Sequence, residues 1–295
     1  MLLITGGTGF VGRHVVKEIG KIRKDIRILT TDFEKTKKMY PRYEVLKGDI
    51  TRPETLSGAA KDVDVVIHLA GLVSYSKPKD VLFRINVEGT KNILRACERA
   101  DKFLFSSSVG VYGEVKGQAD ESYPRNPRNA YGESKREAEN LVRDSGIRNV
   151  IFRIAPIYGE GAPHLTKIFQ FIEGGFPIPR TSNLTHVVHI SNVVQAFELG
   201  LKKKSEGIYN IADEEPVKFM ELAETLFRLL GKPPKTLPPW IVNLLARMKG
   251  MKTYLDVYTI NRNYDIANAK KELKYHPKLD FQKELRKMVE WYKQK

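Results

Sequence analysis

Thr5-Gly6-Gly7-Thr8-Gly9-Phe10-Val11-Gly12 decides how the rest of the 295-residue chain is read. The octapeptide follows a short apolar run, Leu2-Leu3-Ile4, and precedes an amphipathic stretch near residues 11–20. In a strand-to-helix turn the first glycine permits the bend, the second lets backbone N–H groups approach a diphosphate, and the third lets the helix pack on the strand. The helix N-terminus adds partial positive charge. Gly6, Gly9, Phe10, Val11 and Gly12 are therefore expected to hold a dinucleotide, the alternative being an ordinary βα turn.

Outward from that turn, short apolar runs alternate with amphipathic stretches over the first 155 residues. Ile26-Arg-Ile-Leu29, Val65-Val66-Ile67, Phe103-Leu-Phe105 and Val150-Ile-Phe152 read as buried strands, and helices are predicted near 79–100 and 132–145. Such alternation specifies an α/β, Rossmann-type, doubly wound parallel sheet. Residues 1–160 are expected to form the dinucleotide-binding domain, with a segment at about 185–212 returning to it. Residues 161–295 are expected to form a smaller substrate-covering domain, because Gly174-Gly175, Pro177, Pro179, Pro233-Pro234 and Pro238-Pro239 break the earlier pattern.

Composition narrows the function classes. The formal charge of +15 raises the question of nucleic acid, but the lysines are scattered, and no nucleic-acid partner is expected. The one cysteine, Cys97, excludes an internal disulfide and suits a reducing compartment. No apolar run is long enough to span a membrane and no signal-peptide pattern opens the chain, so a cytoplasmic location is expected. Abundant Lys and Glu resemble heat-adapted compositions. No metal site is expected.

Further cofactor contacts are expected along the sheet edge. Asp49, in Gly48-Asp49-Ile50 after a strand around Val45-Leu46, can accept from an adenine amino group. Leu69, Ala70 and Gly71 end a buried strand in small residues that leave room for ribose and diphosphate. Asn86 opens a long helix as a cofactor or proton-relay contact, or as a structural hydrogen-bonding residue.

The chemistry is expected from Tyr131-Gly-Glu-Ser-Lys135 and Ser108. A phenol and an ammonium at i and i+4 share one helix face, and a nearby cation lowers the phenol's pKa from about 10. Tyr131 would move the hydroxyl proton, and Lys135 would tune it and bond the nicotinamide ribose. Ser108, at the C-terminal end of the strand beginning Phe103, would polarise the substrate oxygen, with Ser106 and Ser107 as strand-end or cofactor-side groups.

With these residues in hand, the chain resembles an extended short-chain dehydrogenase/reductase. That superfamily holds sugar-nucleotide epimerases and dehydratases, hydroxysteroid dehydrogenases and dihydroflavonol reductases. The likeness runs through the glycine loop, Asp49, His68-Leu-Ala-Gly71, Asn86, the serine strand, Tyr131, Lys135, Arg153-Ile-Ala-Pro-Ile-Tyr-Gly159, His186-Val-Val-His189 and Tyr264-Asp-Ile-Ala-Asn-Ala-Lys270. It implies an NAD(P)-dependent enzyme, adds Pro156 and Ile157 to the cofactor contacts, and implies a homodimer through helices at roughly 85–100 and 131–146, with Cys97, Ala100, Ala138 and Leu141 as candidate contacts, inward packing of the same residues being the alternative.

Departures from the family pattern bear on specificity. NAD-preferring members carry an acidic residue where Thr30 stands; Asp32 lies two residues later and could still serve, and the balance leans to NADP. Sugar-nucleotide members have an Asn where Pro156 stands, an Arg where Thr185 stands, and an Arg before the closing Asp-x-Ala segment, for which no equivalent is assigned. Loss of charge-assisted phosphate contacts favours a hydroxysteroid- or dihydroflavonol-like alcohol or ketone, with sugar-nucleotide epimerisation as the alternative. Val109-Gly110 lacks the acidic pair of dehydratases, and a non-catalytic cofactor-binding subunit is the reading from another class. Residues 237–248 are expected to form an amphipathic helix with Trp240, Ile241, Leu244, Leu245 and Met248 on one face. Its readings are packing against the main domain, an apolar wall over substrate, or peripheral membrane contact.

Overall fold

The computed structural model describes residues 1–248 and 259–294. Strand β1 (Leu2–Thr5) and helix α1 (Phe10–Ile22) flank the glycine loop, followed by β2 (Ile26–Thr30), α2 (Phe33–Met39), β3 (Glu44–Lys47) and β4 (Val65–His68). Helix α3 (Lys79–Phe83) runs through a π-helical turn, Arg84–Glu88, into α4 (Gly89–Ala96). Strand β5 (Lys102–Ser108), α5 (Ala130–Arg143) and β6 (Asn149–Ile154) complete the first half. With the later strand Gly207–Ile211 they form a seven-stranded sheet whose order runs from that strand through β6, β5, β4, β1 and β2 to β3. Every pairing in it is parallel.

Both faces of this sheet are covered, which is why its strands are continuous apolar runs. Side chains alternate across it. Leu2, Ile4, Ile28, Ile67 and Leu104 join a core with Val15 and Ile19 of α1 and Val193 and Phe197 of α7 (Ile190–Gly200). Leu3, Leu29, Val66, Phe103 and Phe105 join another with Ile93 of α4 and Ala138 and Val142 of α5. A separate apolar cluster forms where α6 (Pro163–Glu173), α8 (Phe219–Leu229) and the C-terminal helix Phe281–Lys293 meet. Residues 188–189 pair with Ile157–Tyr158, α7 packs on α1, and Gly207–Ile211 joins β6, so this stretch lies with the main sheet.

Two details choose between alternatives that the sequence left open. Cys97, Ala100 and Ala138 are buried inside the protomer, in the core between the sheet and helices α4 and α5, so they are not available as dimer contacts. Burial also pushes the Cys97 thiol up to about 12, consistent with a packing residue. In α9 (Pro239–Met248) only Val242 and Ala246 are buried, whereas Trp240, Leu244 and Met248 are exposed. Packing against the main domain therefore does not account for the face that carries them.

Candidate active site

The strand order reverses between β1 and β4, so the crevice beyond their C-terminal ends is the topological switch point where α/β sheets bind ligands. Two depressions meet there, and Gly6 and Gly71 line both. One is a cleft of about 360 Å³ lined by Leu29, Thr30, Thr31, Asp49, Ile50, Ala70 and Arg84, among others. The other is a cavity of about 270 Å³ lined by Gly9, Phe10, Val11, Gly12, Leu69, Ser106, Ser107, Ser108, Tyr131, Pro156 and Ile157, and walled further out by apolar side chains.

Local geometry fits the glycine loop to a dinucleotide. Gly6 has φ +70°, and a Cβ there would lie 2.6 Å from the Ala70 nitrogen, so the loop approaches the end of β4 as only glycine allows. Gly9 is the N-cap of α1 and brings no side-chain acceptor, and no acidic residue occupies the first turn. The positive end of α1 is thus open to an external anion. Two adjoining depressions, one lined by Thr30, Thr31 and Asp49 and the other by the Tyr131 phenol and the Ser108 hydroxyl, with the glycine loop between them, fit the group in donor chemistry.

Two of the three residues expected to do chemistry, Ser108 and Tyr131, come together at the inner end, and Lys135 lies outside the lining of both depressions. Ser108 closes β5, and its Oγ accepts from the Gly110 N–H at 3.0 Å. Tyr131 stands in the first turn of α5, whose N-cap Asn129 accepts from the Gly132 N–H at 2.9 Å. A Cβ on Gly132 would lie 2.5 Å from the Gly110 carbonyl oxygen, so glycine next to Tyr131 brings α5 hard against the Ser108 turn. The Tyr75 ring packs edge-on against Tyr131, centroids 6.0 Å apart. Lys135 lies one turn on and is buried, its Nζ 4.3 Å from the centroid of Phe105.

Electrostatics differ from the spacing argument. Burial pushes the Tyr131 phenol above its ordinary value, Tyr75 adds to the rise, and the neighbouring Ser108 hydroxyl opposes it. Burial brings Lys135 down to about 8, with Glu139 pulling the other way. Burial leads both shifts, and neither group's shift is set by the other: Tyr75 and Ser108 act on the phenol, and Glu139 acts on the ammonium.

Three residues named from sequence put their polar groups to structural use, Asp32 and Asn86 outside the lining of both depressions and Asp49 in the cleft wall. Asp32 lies outside the lining of both depressions; its carboxylate accepts from the Lys35 N–H at 3.1 Å as the N-cap of α2. Asn86 is buried in the π turn, where its Oδ1 accepts from the Leu72 N–H at 2.7 Å and its Nδ2 donates to the Leu72 carbonyl at 3.0 Å and to Ser134 Oγ at 2.9 Å. It ties the loop after β4 to the helix of Tyr131, a local use of a π turn beside a site. Asp49 turns back on its own loop, accepting from the Thr51 N–H and hydroxyl, both at 2.8 Å. Arg84, in the cleft, and Arg262, buried and lining the cavity, are cations that the sequence reading did not select. Arg262 lies three residues before Asp265, ahead of the closing segment for which no arginine was assigned from sequence.

Comparison with known proteins agrees with this architecture. The model of the NAD dependent epimerase/dehydratase family matches residues 2–212. Sterol-4-alpha-carboxylate 3-dehydrogenase, decarboxylating, of Saccharomyces cerevisiae is 27% identical, covering 98% of this chain and 97% of its own. The putative UDP-glucose 4-epimerase of Methanocaldococcus jannaschii is 29% identical, covering 99% and 98%. The structure of UDP-glucuronic acid 4-epimerase from Bacillus cereus in complex with NAD superposes with a TM-score of 0.81 at 22% identity, over 99% of this chain and 98% of that one. The chain is an enzyme that belongs to the NAD dependent epimerase/dehydratase family, within the extended short-chain dehydrogenase/reductase superfamily.

Proposed function

We propose that the protein is an NAD(P)-dependent oxidoreductase acting on a secondary alcohol or ketone with an apolar body, of the hydroxysteroid- or dihydroflavonol-like class. The carrying observation is the outer wall of the cavity, where Val73, Val109, Leu165, Ile168, Val187, Phe219 and Leu222 face the space beyond Tyr131 and Ser108. A polyhydroxylated sugar would leave its hydroxyls unpaired against that wall, whereas a fused apolar ring would bury surface there. The nicotinamide, when bound, supplies or takes the hydride.

In this reading Ser108 holds the substrate oxygen and Tyr131 exchanges its proton; the raised phenol value keeps Tyr131 a proton donor at neutral pH and so suits carbonyl reduction. The glycine loop holds the diphosphate, while Thr30, Thr31 and Asp49 surround the adenosine end. Thr30 and Thr31 leave room for a 2′-phosphate, which supports the lean to NADP, although the Bacillus cereus relative holds NAD. A homodimer through the solvent-facing sides of α4 and α5 belongs to the same proposal.

Sugar-nucleotide 4-epimerisation is the second reading, and Arg262 favours it, since a guanidinium in the cavity wall suits a diphosphate. The two separate in one experiment. Purified protein is supplied with NAD or NADP and either apolar secondary alcohols or UDP-sugars. Net absorbance change at the nicotinamide band with the apolar set supports the first reading. Epimer formation from UDP-sugars without net absorbance change overturns it.

A further inference from the structure

Helix α9 presents two unlike apolar faces. Val242 and Ala246 point inward and are buried, whereas Trp240, Leu244 and Met248 are 70%, 55% and 77% exposed. Their spacing of four and four residues sets them in one row along the helix. Other large apolar side chains that reach solvent, such as Ile22, Met39 and Leu279, are on separate elements, so this row is not the scattered exposure any surface carries. None of the α9 residues lines the cavity beside Tyr131, which removes a substrate wall as the reason for the row.

Along the chain, the stretch that contains the helix carries charge of one sign. From Thr225 to Leu255 the sequence contains Arg228, Lys232, Lys235, Arg247, Lys249 and Lys252 and no acidic residue. The strand Thr236–Leu237, directly before α9, pairs with Ile178–Pro179 and brings Arg180 to the same region, its Nε donating to Thr236 Oγ1 at 3.1 Å. Arg180, Arg228, Lys232, Lys235 and Arg247 are all exposed.

We propose that α9 is an in-plane docking helix for an anionic lipid surface. Trp240, Leu244 and Met248 enter the boundary between headgroups and acyl chains, and the surrounding lysines and arginines meet the headgroup phosphates. An anionic bilayer offers an apolar layer and a sheet of negative charge at one interface, which is the complement of this patch. A second copy of the chain offers the opposite: a two-fold contact through α9 sets the same basic segment against itself.

The chain has two tryptophans, Trp240 and Trp291, so Trp291→Phe leaves Trp240 as the reporter. This variant is mixed with phosphatidylcholine vesicles, with or without phosphatidylglycerol, carrying brominated acyl chains. Expected are co-sedimentation with the anionic vesicles, quenching of Trp240 and weakening by added salt. In otherwise wild-type protein, the combined Lys235→Glu and Arg247→Glu variant should bind these vesicles at least about tenfold more weakly, given roughly fivefold per basic residue near such a surface. Trp240→Ser combined with Leu244→Ser should abolish binding while leaving the melting temperature and cofactor affinity unchanged. Absence of vesicle binding at low salt overturns the proposal. So does binding with Trp240 unquenched, and so does a dimer mass that these serine substitutions reduce to a monomer, which would assign the row to a second copy.

Discussion

Arg153 clasps Glu139 along the whole guanidinium edge: Nε lies 3.1 and 3.3 Å from the two carboxylate oxygens and Nη2 lies 2.9 Å from Oε2, with both side chains buried. Ser107 and Arg125 bond the same carboxylate, and Arg153 Nη1 donates to the Tyr112 hydroxyl and the Glu121 carbonyl, both at 2.8 Å. The pair thus pins α5, which carries Tyr131 and Lys135, to β5 and β6, which carry the serines and the cavity wall.

Removing the charge of Glu139 should therefore cost far more than an ordinary surface ion pair. Glu139→Gln leaves Arg153 buried without its counter-charge, and about 3–5 kcal/mol of unfolding free energy should be lost. Glu139 is also the group that holds the Lys135 value up, so that value should fall further in the variant. Urea unfolding at pH 7 checks the first expectation. A loss below about 1 kcal/mol would show that water reaches the pair.

Lys135 itself should trade stability for function. Burial lowers its value from 10.5 to about 8, and by linkage that is a cost of about 3 kcal/mol in the charged form. The unfolded chain binds this proton more tightly than the folded one. The cost is therefore fully present below pH 8 and is relieved as pH rises from about 8 towards 10.5. In urea unfolding Lys135→Met should be more stable than the native protein at pH 7 and lose the rise in stability across that alkaline window, while both its cofactor affinity and its turnover should fall.

The acid side should be governed by two buried imidazoles. His68 is held at about 3 by burial, with Lys135 adding to the effect, and its ring meets Thr5 Oγ1 at 2.7 Å and Thr90 Oγ1 at 3.1 Å. His186 is held at about 4, again chiefly by burial. In both cases the unfolded chain takes up the proton first, so stability is full above about 6.5 and falls as pH drops towards 3 to 4. Each should contribute about 2 kcal/mol of loss between pH 6.5 and 5. Unfolding curves at those two pH values that superimpose would refute this.

What could be read from the sequence divides along physical lines. Leu2-Leu3-Ile4 was legible as a central strand because a strand buried on both faces has no polar alternate, and the observed α/β sheet is the one expected. Tyr131 and Lys135 were legible because four residues in a helix is one turn. Asp32 was ambiguous, since a carboxylate after a strand can hold a ribose or cap the next helix, and here it caps. Arg262 reaches the cavity from near the far end of the chain, where no local pattern declares which side chain turns inward. Cys97 caps the end of α4, Ala100 follows it and Ala138 lies in α5; all three are small, and the sequence pattern alone does not say whether such a residue faces the sheet or a neighbour.

Cofactor choice should respond at Thr31 more than at Thr30. Thr30 is buried and its Oγ1 is engaged by the Thr36 hydroxyl at 2.9 Å and by the Asp32 N–H at 3.2 Å, whereas Thr31 is exposed at the rim of the adenosine cleft. A carboxylate at the rim accepts from ribose hydroxyls and repels a 2′-phosphate. Thr31→Asp should therefore raise the ratio of NAD to NADP affinity by about tenfold, measured by titration of tryptophan or nicotinamide fluorescence. An unchanged ratio would place the ribose elsewhere.

Binding and chemistry should separate at Tyr131. Tyr131→Phe keeps the ring that packs on Tyr75 and removes the one proton that the phenol can exchange, so cofactor affinity should hold. Turnover should fall by about two to four orders of magnitude, the usual share of general acid–base catalysis. Ser108→Ala, which deletes the hydroxyl beside the phenol and its bond from the Gly110 N–H, should also lower turnover with little change in cofactor affinity. With Tyr131 above its ordinary pKa in the protein alone, carbonyl reduction, which needs the protonated phenol, should hold through the neutral range and fall only at high pH, whereas alcohol oxidation, which needs the phenol ionised, should rise with pH. Near-native turnover of Tyr131→Phe in both directions, with any substrate that responds, would remove Tyr131 from the proton transfer and leave Ser108 or ordered water to carry it.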